Sequence, residues 1–157
     1  MFKKKPAENF RDRFSPDEWS LVMSVPFLFF GMTASADGSI DQAESAELQR
    51  RMQGGAIGYK DPLHREVAAQ FFSTPVTLEE LLKKANQAGP EKVRDTLRKR
   101  LSEDEYQGYL SSVFIDAMGV AHASGGVSDT ETTALAALAT FFGIDVPGIE
   151  GRFGKKL

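Results

Sequence analysis

Helix-start signals recur along this chain, and strand signals are nearly absent. A Ser or Thr followed three residues later by Glu can form a capping box, in which each side chain accepts a hydrogen bond from the other residue's backbone N–H. Such pairs occur at Ser15 and Glu18, Thr77 and Glu80, Ser102 and Glu105, and Ser128 and Glu131. Asp41 with Glu44 is a carboxylate version. The recurrence of these helix-start signals predicts an all-α protein.

Apolar residues between these signals follow helical spacing. The broadest stripe comprises Tyr106, Leu110, Val113, Phe114, Ala117, Met118 and Ala121. Asp61 before Pro62 is a candidate N-cap. Together these patterns predict seven helices, over residues 16–35, 41–53, 61–72, 78–87, 90–101, 103–122 and 129–142. Short connections favour a single-domain helical bundle over residues 15–143, with tails at 1–14 and 144–157.

Two segments depart from this regular pattern. Pro26 lies inside the first predicted helix, where it removes a backbone donor and predicts a kink. Residues 52–59, with the sequence MQGGAIGY, are predicted to be a mobile glycine-rich loop. The loop lacks the lysine followed by Ser or Thr of a phosphate-binding loop, and no strand precedes it, so nucleotide binding is not predicted there.

Composition narrows the class of protein. The length of 157 residues suits one domain, and the net charge of -3 gives no general attraction to nucleic acid. Basic residues concentrate between Lys83 and Arg100 without an interleaved aromatic residue, so we interpret them as a solvated helix face. The absence of cysteine excludes disulfides and thiolate sites. The apolar run at 21–36 is shorter than the roughly 20 residues of a membrane span, and acidic residues precede it, so we expect a cytoplasmic protein.

Two segments of the sequence resemble each other when they are aligned at an offset of 87 residues. The aligned pairs are Phe27 with Phe114, Ala36 with Ala123, Gly38 with Gly125, Ile40 with Val127, and Glu44 with Glu131. In each copy an apolar helix ends at glycine and a capping box begins the next helix. This pattern predicts two helical hairpins related by a pseudo-twofold axis.

The first copy, an apolar helix running into ADGSIDQAE, resembles the TerB-like (tellurite-resistance) family, which includes the N-terminal domain of the membrane-anchored DjlA co-chaperones. Ala36, Asp37, Gly38, Ile40 and Glu44 carry the motif. The resemblance implies a seven-helix bundle, a role in stress-associated binding or scaffolding, and an acidic surface that takes divalent cations. It implies no enzyme activity.

Carried onto this chain, the resemblance implies a calcium or magnesium site with four candidate carboxylate ligands: Asp37, Asp41, Glu44 and Glu47. Hard cations of this kind prefer several oxygen ligands. The second copy has Ser124 and Ser128 in place of the two aspartates, so a symmetrical second site is not expected. The turn also resembles the back half of an EF-hand loop, but Thr33 stands at the first position, where that loop needs a carboxylate.

The residues of the ADGSIDQAE turn can also be explained without a bound ion. Gly38 can close one helix, Ile40 can be a buried anchor, and Asp41 with Glu44 can begin the next helix. Only Asp37 is then unexplained, because a helix C-terminus disfavours a nearby carboxylate.

Two functional hypotheses follow. The first is a non-enzymatic TerB-like stress-response module that binds a divalent cation and adjusts its contacts with protein partners, including partners at a membrane. The second is a metal-independent interaction domain that recruits a protein through the basic helix 90–101 or an exposed aromatic groove. Both leave the partner and the oligomeric state open.

No catalytic motif supports an enzyme. His64 and His122 are interpreted as partly buried, hydrogen-bonded side chains and not as metal ligands. Asp116, within an apolar pattern, is expected to pair with a basic residue.

Overall fold

The computed structural model describes residues 9–34, 42–73, 77–122 and 129–146. Within these ranges the chain forms a short 3₁₀ helix and seven α-helices, and no strand. The 3₁₀ helix spans Phe10–Arg13, and the α-helices are α1 Pro16–Ala34, α2 Gln42–Gly58, α3 Pro62–Ser73, α4 Leu78–Ala88, α5 Pro90–Arg100, α6 Glu103–His122 and α7 Asp129–Phe142. The prediction of an all-α bundle of seven helices is confirmed.

The predicted helix starts are present wherever the structure describes them. The Ser102 hydroxyl accepts from the Glu105 backbone N–H at 3.2 Å, and the Glu105 carboxylate accepts from the Ser102 backbone N–H at 2.8 Å. Reciprocal pairs of the same kind begin α1 and α4. The predicted cap at Asp61 is also present, since its Oδ2 accepts from the His64 backbone N–H at 2.8 Å. The starts predicted at Asp41 and Ser128 lie outside the described residues.

The glycine-rich segment is helical, so the prediction of a loop over 52–59 is wrong. Helix α2 continues through Gly54 and Gly55 to Gly58. Met52 at its start is buried, and the Tyr59 ring, just beyond the helix, lies against Gly55. Tertiary packing therefore overrides the low helical propensity of glycine, which costs about 1 kcal/mol per residue relative to alanine.

Helices α1 and α6 pack against each other at the centre of the bundle. Helix α7 packs on α1, and α2 packs on α6, so the second helix of each predicted hairpin lies on the first helix of the other hairpin. Helices α4 and α5 cover α1, while α3 contacts α2 and α6. These contacts agree with the predicted pair of hairpins, whose pseudo-twofold relation stays a prediction.

One hydrogen bond joins α1 to α6 at the proline of α1. Helix α1 runs through Pro26, which has no N–H to donate to the Val22 carbonyl one turn earlier. The Tyr109 hydroxyl of α6 donates to that carbonyl instead, at 2.7 Å. Val22 and Tyr109 are 87 residues apart, which is also the offset between the two similar sequence segments.

The basic residues between Lys83 and Arg100 lie on different faces of their helices. The guanidinium groups of Arg94 and Arg98 lie 4.6 Å from the Phe141 ring centroid and 4.2 Å from that of Tyr106. They also donate to the Phe141 and Phe142 carbonyls at the end of α7, at 3.5 and 3.4 Å. These two arginines contact the last turn of α7 and remain partly exposed, so the interpretation as a solvated face holds only in part for them.

Part of the predicted N-terminal tail contacts the bundle. The backbone N–H groups of Phe10 and Arg11 donate to the Glu66 carboxylate of α3 at 3.0 and 2.9 Å, and Phe14 is buried. Among the described residues, the helices are too short or too polar for any of them to span a membrane.

Candidate functional site

The candidate cation ligands are only partly described by the structure. Asp37 and Asp41 lie outside the described residues, and Glu44 is buried in the first turn of α2. Glu47, one turn later, accepts hydrogen bonds from Arg50 and from Arg51 Nε, the latter at 2.9 Å. The hydrogen bond from Arg50 is the main reason that the pKa of Glu47 falls to about 2. A carboxylate held by two guanidinium groups is a poor cation ligand, and the described ranges contain no group of three or more His, Cys, Asp or Glu suited to a metal.

A group of buried and half-buried polar side chains lies elsewhere, where α2 and α3 meet α6. We call it the polar cluster, and it comprises Arg51, Tyr59, His64, Ser112 and Asp116. Sequence reasoning singled out His64 and Asp116 separately, but it missed the other three and did not bring any of them together.

Asp116 is the centre of the cluster. Its Oδ1 accepts from Arg51 Nη1 at 3.4 Å, and its Oδ2 accepts a close hydrogen bond from the Tyr59 hydroxyl. The prediction that Asp116 pairs with a basic residue is therefore confirmed. His64 Nε2 lies 3.8 Å from the same Oδ2. One carboxylate thus connects side chains from α2, from α3 and from the residue that follows α2.

His64 is fully buried, and of its two ring nitrogens Nδ1 has a hydrogen-bond partner while Nε2 has none among the described residues. It is 0% exposed, its Nδ1 lies 2.6 Å from Ser112 Oγ, and the Tyr59 ring stacks on it at 3.6 Å with an interplanar angle of 11°. Burial lowers the pKa of His64 to about 3, so the imidazole is neutral near pH 7. Burial, followed by the negative charge of Asp116, raises the pKa of Tyr59 and keeps its phenol protonated.

Three helical glycines provide the room that these polar groups occupy. A Cβ at Gly119 would overlap the Arg51 guanidinium, and a Cβ at Gly55 would overlap the Tyr59 ring. A Cβ at Gly108 would lie 2.8 Å from Asp61 Oδ1. Gly108, Ser112, Asp116 and Gly119 follow one another at helical spacing along α6. Their spacing was a usable sequence signal for the face of α6 that meets α2 and α3.

The polar cluster contains the three residue types of a serine-hydrolase catalytic triad: Ser112, His64 and Asp116. Their environment does not suit nucleophilic catalysis by the serine. A general base must accept a proton near the working pH, whereas the pKa of His64 is about 3. The serine is buried within α6, whose amides are used by the helix, and the Tyr59 ring covers the imidazole. The contacts therefore fit a sealed structural network that joins three helices.

A second surface is open to solvent. Two adjacent depressions of about 490 and 340 Å³ share Ala88 and Lys92. Their charged lining residues are Asp17, Glu18, Lys84, Glu91, Lys92, Asp95 and Lys99. We call this surface the α1–α4–α5 groove. Lys92, Asp95 and Lys99 belong to one face of α5, whereas Arg94 and Arg98 lie on the face that binds α7.

The buried imidazole predicts a pH dependence of stability. A histidine with an unfolded pKa of 6.5 and a folded pKa of about 3 binds its proton mainly in the unfolded state, so its stabilising contribution is lost as the pH falls below 6.5. The slope for one proton is at most about 1.4 kcal/mol per pH unit. Burial raises the pKa of Asp61 to about 6, which gives an opposing slope between about pH 4 and 6.

The His64 contribution is isolated by comparing denaturant unfolding of the wild type, His64→Gln and His122→Gln from pH 7 to 4. We expect His64→Gln to lose the acid-dependent part of the profile, and His122→Gln, at an exposed position, to retain it. A profile that is unchanged in His64→Gln would show that the imidazole is not held neutral.

A search of protein-family models, curated proteins and solved structures finds no match to this chain. The resemblance to the TerB-like family therefore depends on the ADGSIDQAE motif, its weaker copy and the helical layout.

Proposed function

We propose that this chain is a non-enzymatic protein-interaction module, of the stress-response kind that its TerB-like resemblance implies. We further propose that the α1–α4–α5 groove receives the partner. The observation that carries this proposal is the contrast between the two polar regions. His64, Asp61 and Asp116 are buried, whereas most charged residues of the groove are exposed.

The construction of α5 supports a docking role for the groove. Val93 and Leu97 are buried, and the two arginines on the neighbouring face bind the end of α7. The helix is thus fixed to the bundle, and its remaining face presents Lys92, Asp95 and Lys99. Charges held on a rigid helix can give specificity without a large ordering cost on binding.

The character of the groove favours a protein over a small molecule. Small-molecule sites are usually enclosed and largely apolar. This groove is open, and both acids and lysines line it: Asp17 and Glu18 on α1, Lys84 on α4, and Glu91, Lys92, Asp95 and Lys99 on α5. Its chemistry matches a polypeptide surface that carries both signs of charge in a complementary order.

A cation-dependent form of this function is the second candidate. In it, calcium or magnesium binds at the ADGSID turn through Asp37, Asp41 and Glu44, and adjusts the contacts with the partner. The support is the inequality of the duplicated turns, because the first copy keeps the aspartate that capping does not require. Glu47 contributes to the ion pairs with Arg50 and Arg51 instead.

In-cell cross-linking with quantitative mass spectrometry tests both forms in one design. The variants are wild type, the groove variant Lys92→Glu/Lys99→Glu, and the control Lys83→Glu, an exposed lysine of α4 that does not line the groove. We expect at least one specific partner to be retained by the control and lost by the groove variant. Equal partner sets in all three proteins would remove the groove from the proposal.

The same partner is then captured with calcium present or with a chelator, using wild type and Asp37→Asn. Loss on chelation and in Asp37→Asn supports the cation-dependent form. Capture that is unchanged by either treatment supports the metal-independent form.

A further inference from the structure

The last turn of α2 has a sequence that does not favour a helix. Gly54, Gly55 and Gly58 lie within five residues, and glycine is the weakest helix former after proline. Ile57, the large apolar residue of this turn, is 90% exposed and contributes almost no burial. The local sequence therefore does not explain why the turn is helical.

Tyr59 supplies contacts that hold the turn in place. Its backbone N–H donates to the Gly55 carbonyl at 3.2 Å, and its own carbonyl accepts from Arg65 Nη1 at 3.1 Å. Its hydroxyl donates to Asp116, and its ring stacks on His64. Gly55 is the residue that allows the ring to lie so close to the helix. A weak helical turn and a single anchoring side chain are thus combined in one segment.

We propose that Gly54–Tyr59 is a lid that opens as a local unit and uncovers His64 while the rest of the bundle remains folded. Proteins open locally where intrinsic stability is low. The three glycines and the exposed Ile57 give this segment low intrinsic stability, and its apolar contacts with the core are those of Ala56 and Tyr59. Opening removes the aromatic cover from the imidazole and gives solvent access to His64 and its neighbours Ser112 and Asp116. The lid does not depend on the proposed function of the groove.

The two histidines of the chain make the opening measurable. Diethyl pyrocarbonate acylates accessible neutral imidazole, and peptide mass spectrometry separates His64, under the lid, from His122, which is exposed. Initial labelling of His64 relative to His122 reports the fraction of open lid. We expect slow labelling of His64 whose rate is nearly independent of denaturant well below the unfolding transition.

Two adjacent glycines provide a matched pair of variants. Nothing lies within 4 Å of a Cβ at Gly54, so Gly54→Ala strengthens the helix and is expected to slow His64 labelling about fivefold. A Cβ at Gly55 would overlap the Tyr59 ring, so Gly55→Ala is expected to accelerate labelling. Tyr59→Phe keeps the ring but loses the hydrogen bond to Asp116, and we expect about tenfold faster labelling.

The lid is contradicted if the two alanine variants change the rate in the same direction. It is also contradicted if the rate of His64 labelling rises steeply with denaturant at concentrations well below the unfolding transition, because labelling would then require global unfolding. Should Gly55→Ala not fold, Gly54→Ala and Tyr59→Phe still give opposite expected signs and decide the question.

Discussion

Asp116→Ala is expected to lower the free energy of unfolding by about 3 kcal/mol, near the lower end of the cost of breaking a buried ion pair. The variant leaves the Tyr59 hydroxyl without its acceptor and removes one of the two carboxylates that Arg51 contacts. Arg51 retains Glu47, which limits the loss. Urea or guanidinium unfolding monitored by circular dichroism measures the change.

Asp95→Ala is the matched control for this experiment. Asp95 also pairs with an arginine, Arg94, at 3.3 Å, but its side chain is 69% exposed. An exposed pair of this kind contributes at most about 1 kcal/mol. Similar small losses in both variants would mean that the polar cluster is solvated and does not join α2 and α3 to α6.

Tyr109→Phe is expected to cost about 2 kcal/mol, because it leaves the buried Val22 carbonyl without a donor. The ring and its packing are retained, so the loss reports the hydroxyl alone. The burial that raises the pKa of Tyr109 also keeps the phenol protonated and able to donate. The same unfolding measurement applies, at a pH well below the titration of the phenol.

Pro26→Ala provides a rescue for this variant. It restores an N–H at position 26, which can donate to the Val22 carbonyl as in an uninterrupted helix. We expect Tyr109→Phe to cost clearly less when combined with Pro26→Ala than it does alone. Additive effects of the two substitutions would show that the Tyr109 hydroxyl does not compensate for the missing proline donor.

The boundaries of most helices could be predicted because their signals are local. Capping pairs such as Ser102 with Glu105 and the spacing of apolar residues depend on neighbours within one or two turns. The end of α2 could not be predicted in this way. Tyr59, which follows it directly, bonds to a carboxylate 57 residues later. A single sequence does not show a contact of that range.

In the candidate site, too, local contacts could be predicted from the sequence and long-range contacts could not. Glu47, Arg50 and Arg51 stand at the spacing of helical ion pairs, so the engagement of Glu47 could have been inferred from its neighbours. The meeting of His64 with Ser112 and Asp116 could not, since it depends on how α3 packs on α6. Helical spacing indicated which residues share a face, whereas packing of the bundle decides which faces meet.

The bond between Tyr109 and the Val22 carbonyl also makes the continuity of α1 depend on α6. In an uninterrupted helix the N–H of position 26 would donate to this carbonyl, but Pro26 has no N–H, and a side chain of another helix donates in its place. Substitutions that displace α6 are therefore expected to weaken the middle of α1 as well as the packing between the two helices.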